Sequence, residues 1–276
     1  MTTLKKFAND ISKTLRDRGY NADTMEINKN GEIKNAIYVG NKDDLCPTFY
    51  AEDITFTDDA FEASDYIEWL INGTEEPQLT FDYHNYEEVK SHLLPVLVPE
   101  RFVDDKKCSI SARHFGFDDL YLMVKIMDVA KSASDDMTGN TYVYESMLEM
   151  WNVSFEEIIL DAFANHEDAV IEPLCNVIER ICPGLPTAGE CPLYISYYPD
   201  KNDMPSMYSA SSIIANRIKA EEIFPNGYYV IPSSLHEVLI VDSNQPKDFI
   251  EDMIKDVNEH EVKDKDILSD HVYLMK

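Results

Sequence analysis

Basic side chains are scarce in this sequence. Only 24 Lys and Arg face 52 Asp and Glu over 276 residues, for a formal net charge of −28. Binding nucleic acid through its phosphates requires clustered Lys and Arg, and no such cluster occurs. Direct nucleic-acid binding and docking onto an anionic membrane surface are therefore both disfavoured. Long apolar runs are missing too, and none approaches the ~18 residues of a membrane span. The stretch MTTLKKFANDISKTLRDRGY is charged and amphipathic, without the apolar centre of a secretory signal. These absences predict a soluble cytoplasmic protein.

Motifs are equally sparse. There is no P-loop, GxGxxG, HExxH, EF-hand loop or GxSxG elbow, so no cofactor is expected. The five cysteines, Cys46, Cys108, Cys175, Cys182 and Cys191, are odd in number and contain no CxxC pair. Cys175, Cys182 and Cys191 are spaced more widely than the about two to four residues usual between zinc ligands. They read as reduced thiols, and no metal site is expected.

What is present is ample core material. Apolar residues make up 44% of the chain, with 16 Tyr and 12 Phe, which argues against wholesale disorder. Leu4, Phe7, Ile11 and Leu15 recur at helical spacing, predicting an amphipathic helix over 2–17. Asn30-Gly31, between TMEINK and EIKNAIYVG, is a hairpin signal, and CPTFYA offers a third strand. Thr57 is expected to cap a helix over 58–71 that Asn72-Gly73 ends. Its expected buried face is Phe61, Ala63, Tyr66, Ile67, Leu70 and Ile71. YEEVKSHLL reads as a short helix broken near Pro95, and DLYLMVKIMDVA (119–130) as a strand. The polar stretch 131–140 is a hairpin loop or a junction.

In the second half, Ser154 and Glu157 form a capping box for a helix running to about Ala164. Further helices are expected over 171–181, SASSIIANRIKAEEIF and QPKDFIEDMIKDVNEH, with a loop at 182–192. PLYISYY, GYYVI, LHEVLIV and SDHVYLM read as strands. The pattern predicts an α+β fold of mixed sheets covered by helices, in two subdomains, 1–135 and 136–276.

The stretch YYVIPSSLHEVLIV places Ser233, Ser234 and His236 together. On a strand over 235–241, His236 shares a face with Val238 and Ile240 while Glu237 points away. Residues i and i+2 stand roughly 6.5 Å apart along a strand, beyond the about 3 Å of a nucleophile–base bond. One reading is structural: a turn whose serine hydroxyl satisfies a backbone group. Two other readings recruit Asp270 and His271. Either Asp270 orients His236 for a serine nucleophile, or His236, Asp270 and His271 meet at a metal.

The same C-terminal residues carry a resemblance. YYVIPSSLHEVLIV, followed by a helix and DILSDHVYLM, resembles the end of the bacterial domain-of-unknown-function family 5688. YVYESMLEMWNVSFEEI is similar to its middle and CPTFYAED to an N-terminal signature. The resemblance implies a cytoplasmic bacterial protein, of a kind found in gut Firmicutes and sometimes on mobile elements, with no assigned chemistry.

The acids are unevenly placed. Residues 43–88 hold 14 acids and residues 139–179 hold nine, with no Lys or Arg in either. Such runs are commonly solvated faces that aid solubility. They also generate a negative field suited to a basic partner. Asp58, Asp59, Glu62, Asp65 and Glu68, expected on the outer face of the 58–71 helix, are the candidate contacts. The favoured reading is thus a non-catalytic protein that engages a basic protein partner; its narrower form has a nucleic-acid-binding partner, engaged by a nucleic-acid mimic. The alternative is a hydrolase or metal-dependent enzyme built on the Ser/His/Asp residues. No pattern specifies an oligomeric state.

Overall fold

The computed structural model describes residues 3–29, 32–41, 46–73, 78–103, 112–114, 117–131, 138–184, 192–232 and 234–276. The fold is α+β, with helices set against antiparallel sheets. The chain divides into two compact units. One is Met1–Thr80 with Asp104–Cys108 and Asp128–Gly139; the other is Phe81–Val103 with Ser109–Met127 and Asn140–Lys276.

In the first unit, α1 (Thr3–Asp17) buries Ala8, Ile11, Ser12 and Leu15, one stripe at 3.6-residue spacing. It stops because Gly19 takes φ +97. The Gly19 and Tyr20 amides then fold back onto the Arg16 and Leu15 carbonyls in a Schellman motif. β1 (Ala22–Lys29) and β2 (Glu32–Val39) pair antiparallel from Ala22↔Val39 to Lys29↔Glu32. That register leaves two residues between the strands; these are Asn30 and Gly31, which lie outside the described residues. β3 (Thr48–Tyr50) adds to β2. α2 (Ala60–Gly73) packs Ala63 and Ile67 into a core with Ile11, Leu15 and Ile37. Its cap is Asp59, whose Oδ1 accepts the Phe61 amide at 2.7 Å. The expected cap, Thr57, instead accepts the Asp59 amide at 3.0 Å. β4 (Gln78–Leu79) closes this part of the chain.

The second unit opens with α3 (Tyr86–Val89) and a 3-10 turn over Lys90–His92. The chain then enters β5 (Leu93–Pro99), where every residue is buried. Pro95 was expected to break a helix but sits inside this strand, as proline can when its missing N–H points away from the partner strand. α4 (Glu100–Val103), β6 (Ala112–His114), β7 (Leu120–Lys131) and β8 (Thr138–Tyr142) follow. β5, β6 and β8 all pair with β7. Residues 128–131 of β7 belong to the first unit, where Ala130 pairs with Leu79 of β4.

Next come α5 (Glu145–Trp151), α6 (Phe155–Ala164), β9 (Val170–Pro173) and α7 (Leu174–Ile181). The Ser154–Glu157 capping box is present at α6. α7 starts three residues later than expected because 170–173 pair with β10 (Leu193–Tyr197). The segment read as one helix over 209–224 is a 3-10 turn (Ser209–Ser211), α8 (Ser212–Ala215) and α9 (Arg217–Ile223). The interruption falls at Asn216, whose side chain donates to the Val170 carbonyl at 2.8 Å and to Ser196 Oγ at 3.0 Å. β11 (Tyr228–Ile231), β12 (Val238–Asp242), α10 (Lys247–His260) and β13 (Tyr273–Met275) complete the sheet order β13-β11-β12-β10-β9. Val238, Ile240, Val230 and Tyr228 join Leu97, Leu122 and Met123 in the main core.

Candidate functional site

α2 presents an unexpected face. Ala63, Ser64 and Ile67 are buried, but Phe61 and Trp69 are 61% and 67% exposed, and Tyr66 and Phe56 are also exposed. Phe61 and Tyr66 were expected in the core; the small residues Ala63 and Ser64 take that place, and the Ser64 hydroxyl lies 3.4 Å from the Ile11 carbonyl oxygen of α1. The outward rings form a row. Phe56 meets Tyr66 edge-on at 5.1 Å, and Tyr66 stacks on Trp69 at 6.1 Å.

The candidate acids surround this row but are not equivalent. Asp58, Asp59, Glu62 and Asp65 are exposed and Glu68 is half-buried. Asp59 caps α2, and Glu62 accepts the Thr57 hydroxyl at 2.8 Å. Asp65 and Glu68 hold Arg18 in a fork, each at 2.7 Å, with the guanidinium 4.4 Å from the Phe61 ring centre. Glu68 also accepts the Tyr20 hydroxyl at 3.1 Å. Asp65 and Glu68 therefore tie α2 to the end of α1.

The serine and histidine candidates lie in the second unit, in two turns of one design. In Ser234-Leu235-His236, Ser234 Oγ accepts the His236 amide at 3.0 Å. In Ser269-Asp270-His271, Ser269 Oγ accepts the His271 amide at 3.3 Å. The turns adjoin: Ser234 bridges Ile267, and the Ser269 amide donates to the Pro232 carbonyl at 3.1 Å. Each imidazole Nε2 faces an aspartate, His236 at 3.8 Å from Asp266 and His271 at 3.6 Å from Asp119. Asp270 orients neither ring in this arrangement; it accepts the Asn258 side-chain amide at 2.8 Å. The strand expected to begin at Leu235 begins at Val238 because residues 234–237 are spent on the turn. Ser233 lies outside the described residues.

The second turn lines a cavity of about 310 Å³ with Arg101, Asp119, Ser269, Asp270 and His271 on its wall. Arg101 donates to the Ile267 carbonyl, and to the Asp264 carbonyl at 3.1 Å. Burial holds its guanidinium below the usual arginine range. Tyr273 donates its hydroxyl to Asp119, and burial raises that phenol. Among the described residues, no group of three His, Cys, Asp or Glu could hold a metal ion. Cys46 and Cys175 are half-buried and Cys182 is exposed; Cys108 and Cys191 lie outside the described residues.

Beside the first turn stands a residue that sequence reading passed over. Lys125, in β7, is only 8% exposed. Its Nζ lies 3.6 Å from the Tyr208 ring centre and 4.9 Å from that of Tyr142. Among the described residues no carboxylate comes within ion-pair distance of it, and burial pushes its ammonium down to about 8. Burial also raises both phenols, so neither supplies a counter-charge near neutrality. Tyr208 adopts φ +63, a conformation that bulky residues avoid. Its sequence signal was a single Lys inside the apolar run DLYLMVKIMDVA.

Residues 3–276 match a family described as "Family of unknown function (DUF5688)". The chain belongs to this DUF5688 family. No curated protein and no solved structure matches it. Among the described residues, no helix is long and apolar enough to cross a membrane. Membership of DUF5688 thus assigns no chemistry to either Ser-x-His turn or to the α2 face.

Proposed function

We propose that this protein is a non-catalytic binding protein that captures a Lys/Arg-rich segment of a protein partner on the outer face of α2. The observation that supports the reading is the row Phe56–Tyr66–Trp69, exposed and set among Asp58, Asp59 and Glu62 in a stretch devoid of bases. Aromatic faces attract guanidinium and ammonium groups, and carboxylates draw the same groups in from a distance. A purely solubilising surface has no use for three large exposed rings in contact. The finer version of the reading has a nucleic-acid-binding protein as partner, its basic groove occupied by the acidic row.

The test is fluorescence anisotropy of a labelled Lys/Arg-rich peptide, with a Glu-rich peptide as control, across a salt series. The parent binds only the basic peptide, and binding weakens with salt. Trp69→Ala lowers affinity about tenfold, and Asp58→Lys with Glu62→Lys flattens the salt dependence. Equal binding by parent and Trp69→Ala removes the aromatic row from the reading. Competition between the protein and duplex DNA for a basic DNA-binding domain tests the mimic version. The hydrolytic alternative has less support: Ser234 donates to Glu237 at 3.2 Å and not to His236, and Ser269, whose Oγ lies 3.0 Å from His271 Nδ1, is only 6% exposed and also accepts the His271 amide.

A further inference from the structure

Lys125 is an expensive residue in its place. A lysine buried without a carboxylate loses hydration that nothing equivalent restores. This chain has 52 carboxylates to offer, yet none of those described reaches Lys125 within ion-pair distance. Two aromatic faces meet the ammonium instead. One of them, Tyr208, is held in a left-handed backbone conformation. That conformation is pinned by three bonds to the first turn: Tyr208 amide to His236 Nδ1 at 3.3 Å, Ser209 amide to the His236 carbonyl at 3.1 Å, and Ala210 amide to the Leu235 carbonyl at 3.3 Å. Backbone strain at a non-glycine residue persists only where the surroundings enforce it, and it concentrates at functional sites.

We propose that Lys125 is a reactive amine that condenses with small neutral aldehydes to form an iminium inside the Tyr142–Tyr208 cage. The amine lone pair attacks the carbonyl carbon, and the carbonyl π electrons move to oxygen, which takes a proton. The resulting carbinolamine loses its oxygen as water. The sum is RCHO plus Lys-NH3+ giving Lys-NH+=CHR plus water, balanced in atoms and charge, with no redox partner.

The cage chooses among electrophiles. An iminium keeps the positive charge and carries it on a larger, less hydrated group, which suits aromatic faces. Acylation would discard the charge that the rings attract. Carbamate formation with carbon dioxide would place an anion against two π faces. The faces that meet the amine are aromatic and Lys125 is only 8% exposed, which favours a small, uncharged aldehyde. The free amine is supplied by burial: an ammonium at about 8 leaves roughly 200-fold more neutral amine at pH 7 than an ordinary lysine near 10.4. The groups that face the amine from neighbouring elements are the phenols Tyr142 of β8 and Tyr208, and both stay protonated in this range. This reaction is stoichiometric capture and is independent of the α2 reading.

The experiment treats the folded full-length protein with propanal and cyanoborohydride, which reduces the iminium to a stable secondary amine, and maps alkylation by peptide mass. At pH 7, Lys125 is expected to react at least about tenfold faster than the exposed lysines, with the rate falling about tenfold per unit below pH 8. Tyr208→Phe keeps the aromatic face and should keep the rate, whereas Tyr208→Leu should lower it several-fold. Alkylation of Lys125 no faster than that of exposed lysines, or only after unfolding in urea, overturns the proposal. So does a Tyr208→Leu variant, folded by circular dichroism, that reacts as fast as the parent.

Discussion

The Tyr208 amide donates to His236 Nδ1 at 3.3 Å. A nitrogen that accepts this bond carries no proton, so neutral His236 holds its hydrogen on Nε2, the atom facing Asp266. One backbone amide thereby sets the tautomer of the ring, and the ring in turn holds the amide of a residue with positive φ.

His236→Ala should therefore cost more than the loss of a surface histidine. It leaves the Tyr208 amide without its acceptor, a penalty of roughly 1–3 kcal/mol. Urea denaturation measures the loss, and amide hydrogen exchange should show Tyr208 losing protection before the β12 amides. A protected Tyr208 amide in the variant would mean that the 208–210 segment does not depend on the imidazole.

Lys125→Met should stabilise the protein near neutrality. The folded-state ammonium is pushed down to about 8, against about 10.4 in an unfolded chain. Protonation therefore penalises the fold fully below pH 8, and the penalty is relieved between about 8 and 10.4. The gain over the parent at pH 7 is about 1–3 kcal/mol, the aromatic faces offsetting part of the burial penalty. It should shrink as pH rises toward 10. Thermal melts of both proteins across that range check the sign, and a gap that widens with pH would contradict it.

The acids of α2 should separate into two classes. Glu68→Lys breaks the Arg18 fork and puts two cations together, and should cost about 1–3 kcal/mol. Asp58→Lys lies on the exposed side and should stay within about 0.5 kcal/mol of the parent. Chemical denaturation of the two single variants distinguishes them. Equal stability would reduce the Arg18 fork to an ordinary surface ion pair.

Ile240→Ala should cost about 2–5 kcal/mol. Ile240 is fully buried in β12, paired to Tyr194 on one side and Val230 on the other. A denaturation midpoint close to that of the parent would remove β12 from the main core.

The elements legible in the sequence were those with local signals. α1 declared itself by its apolar stripe, the hairpin by Asn30-Gly31 between two alternating runs, and α6 by its capping box. Misreadings arose where a distant group decided. Asn216 looked like one residue of a helix until its side chain found Val170 and Ser196. α2 has apolar residues on more than one side, and periodicity alone turned the large ones inward. Close packing with α1 kept the expected Ala63 and Ile67 and added Ser64, leaving Phe61 and Tyr66 outside beside Trp69. Ser234 was legible as a turn residue, because the bond from its hydroxyl to an amide two residues on is local. The aspartates facing His236 and His271 were not: Asp119 stands 152 positions before its imidazole, a distance no motif spans.

Proline and two side chains together close one border of the β5–β7 sheet. In a strand, the N–H and C=O of one residue point to the same side. The Leu93 and Pro95 carbonyls accept from Asn165 at 3.1 Å and from Ser211 at 2.5 Å, so the odd-numbered residues of β5 face away from β7. On that side Pro95 and Pro99 have no N–H to give, and two carbonyls are already taken. An incoming strand would find almost no complementary ladder, and this border is thereby barred from templating sheet growth between copies of the chain. Asn165 beside α6 and Ser211 of the 3-10 turn cover this border with side chains in place of a strand, and the prolines that leave it without N–H groups make that cover sufficient.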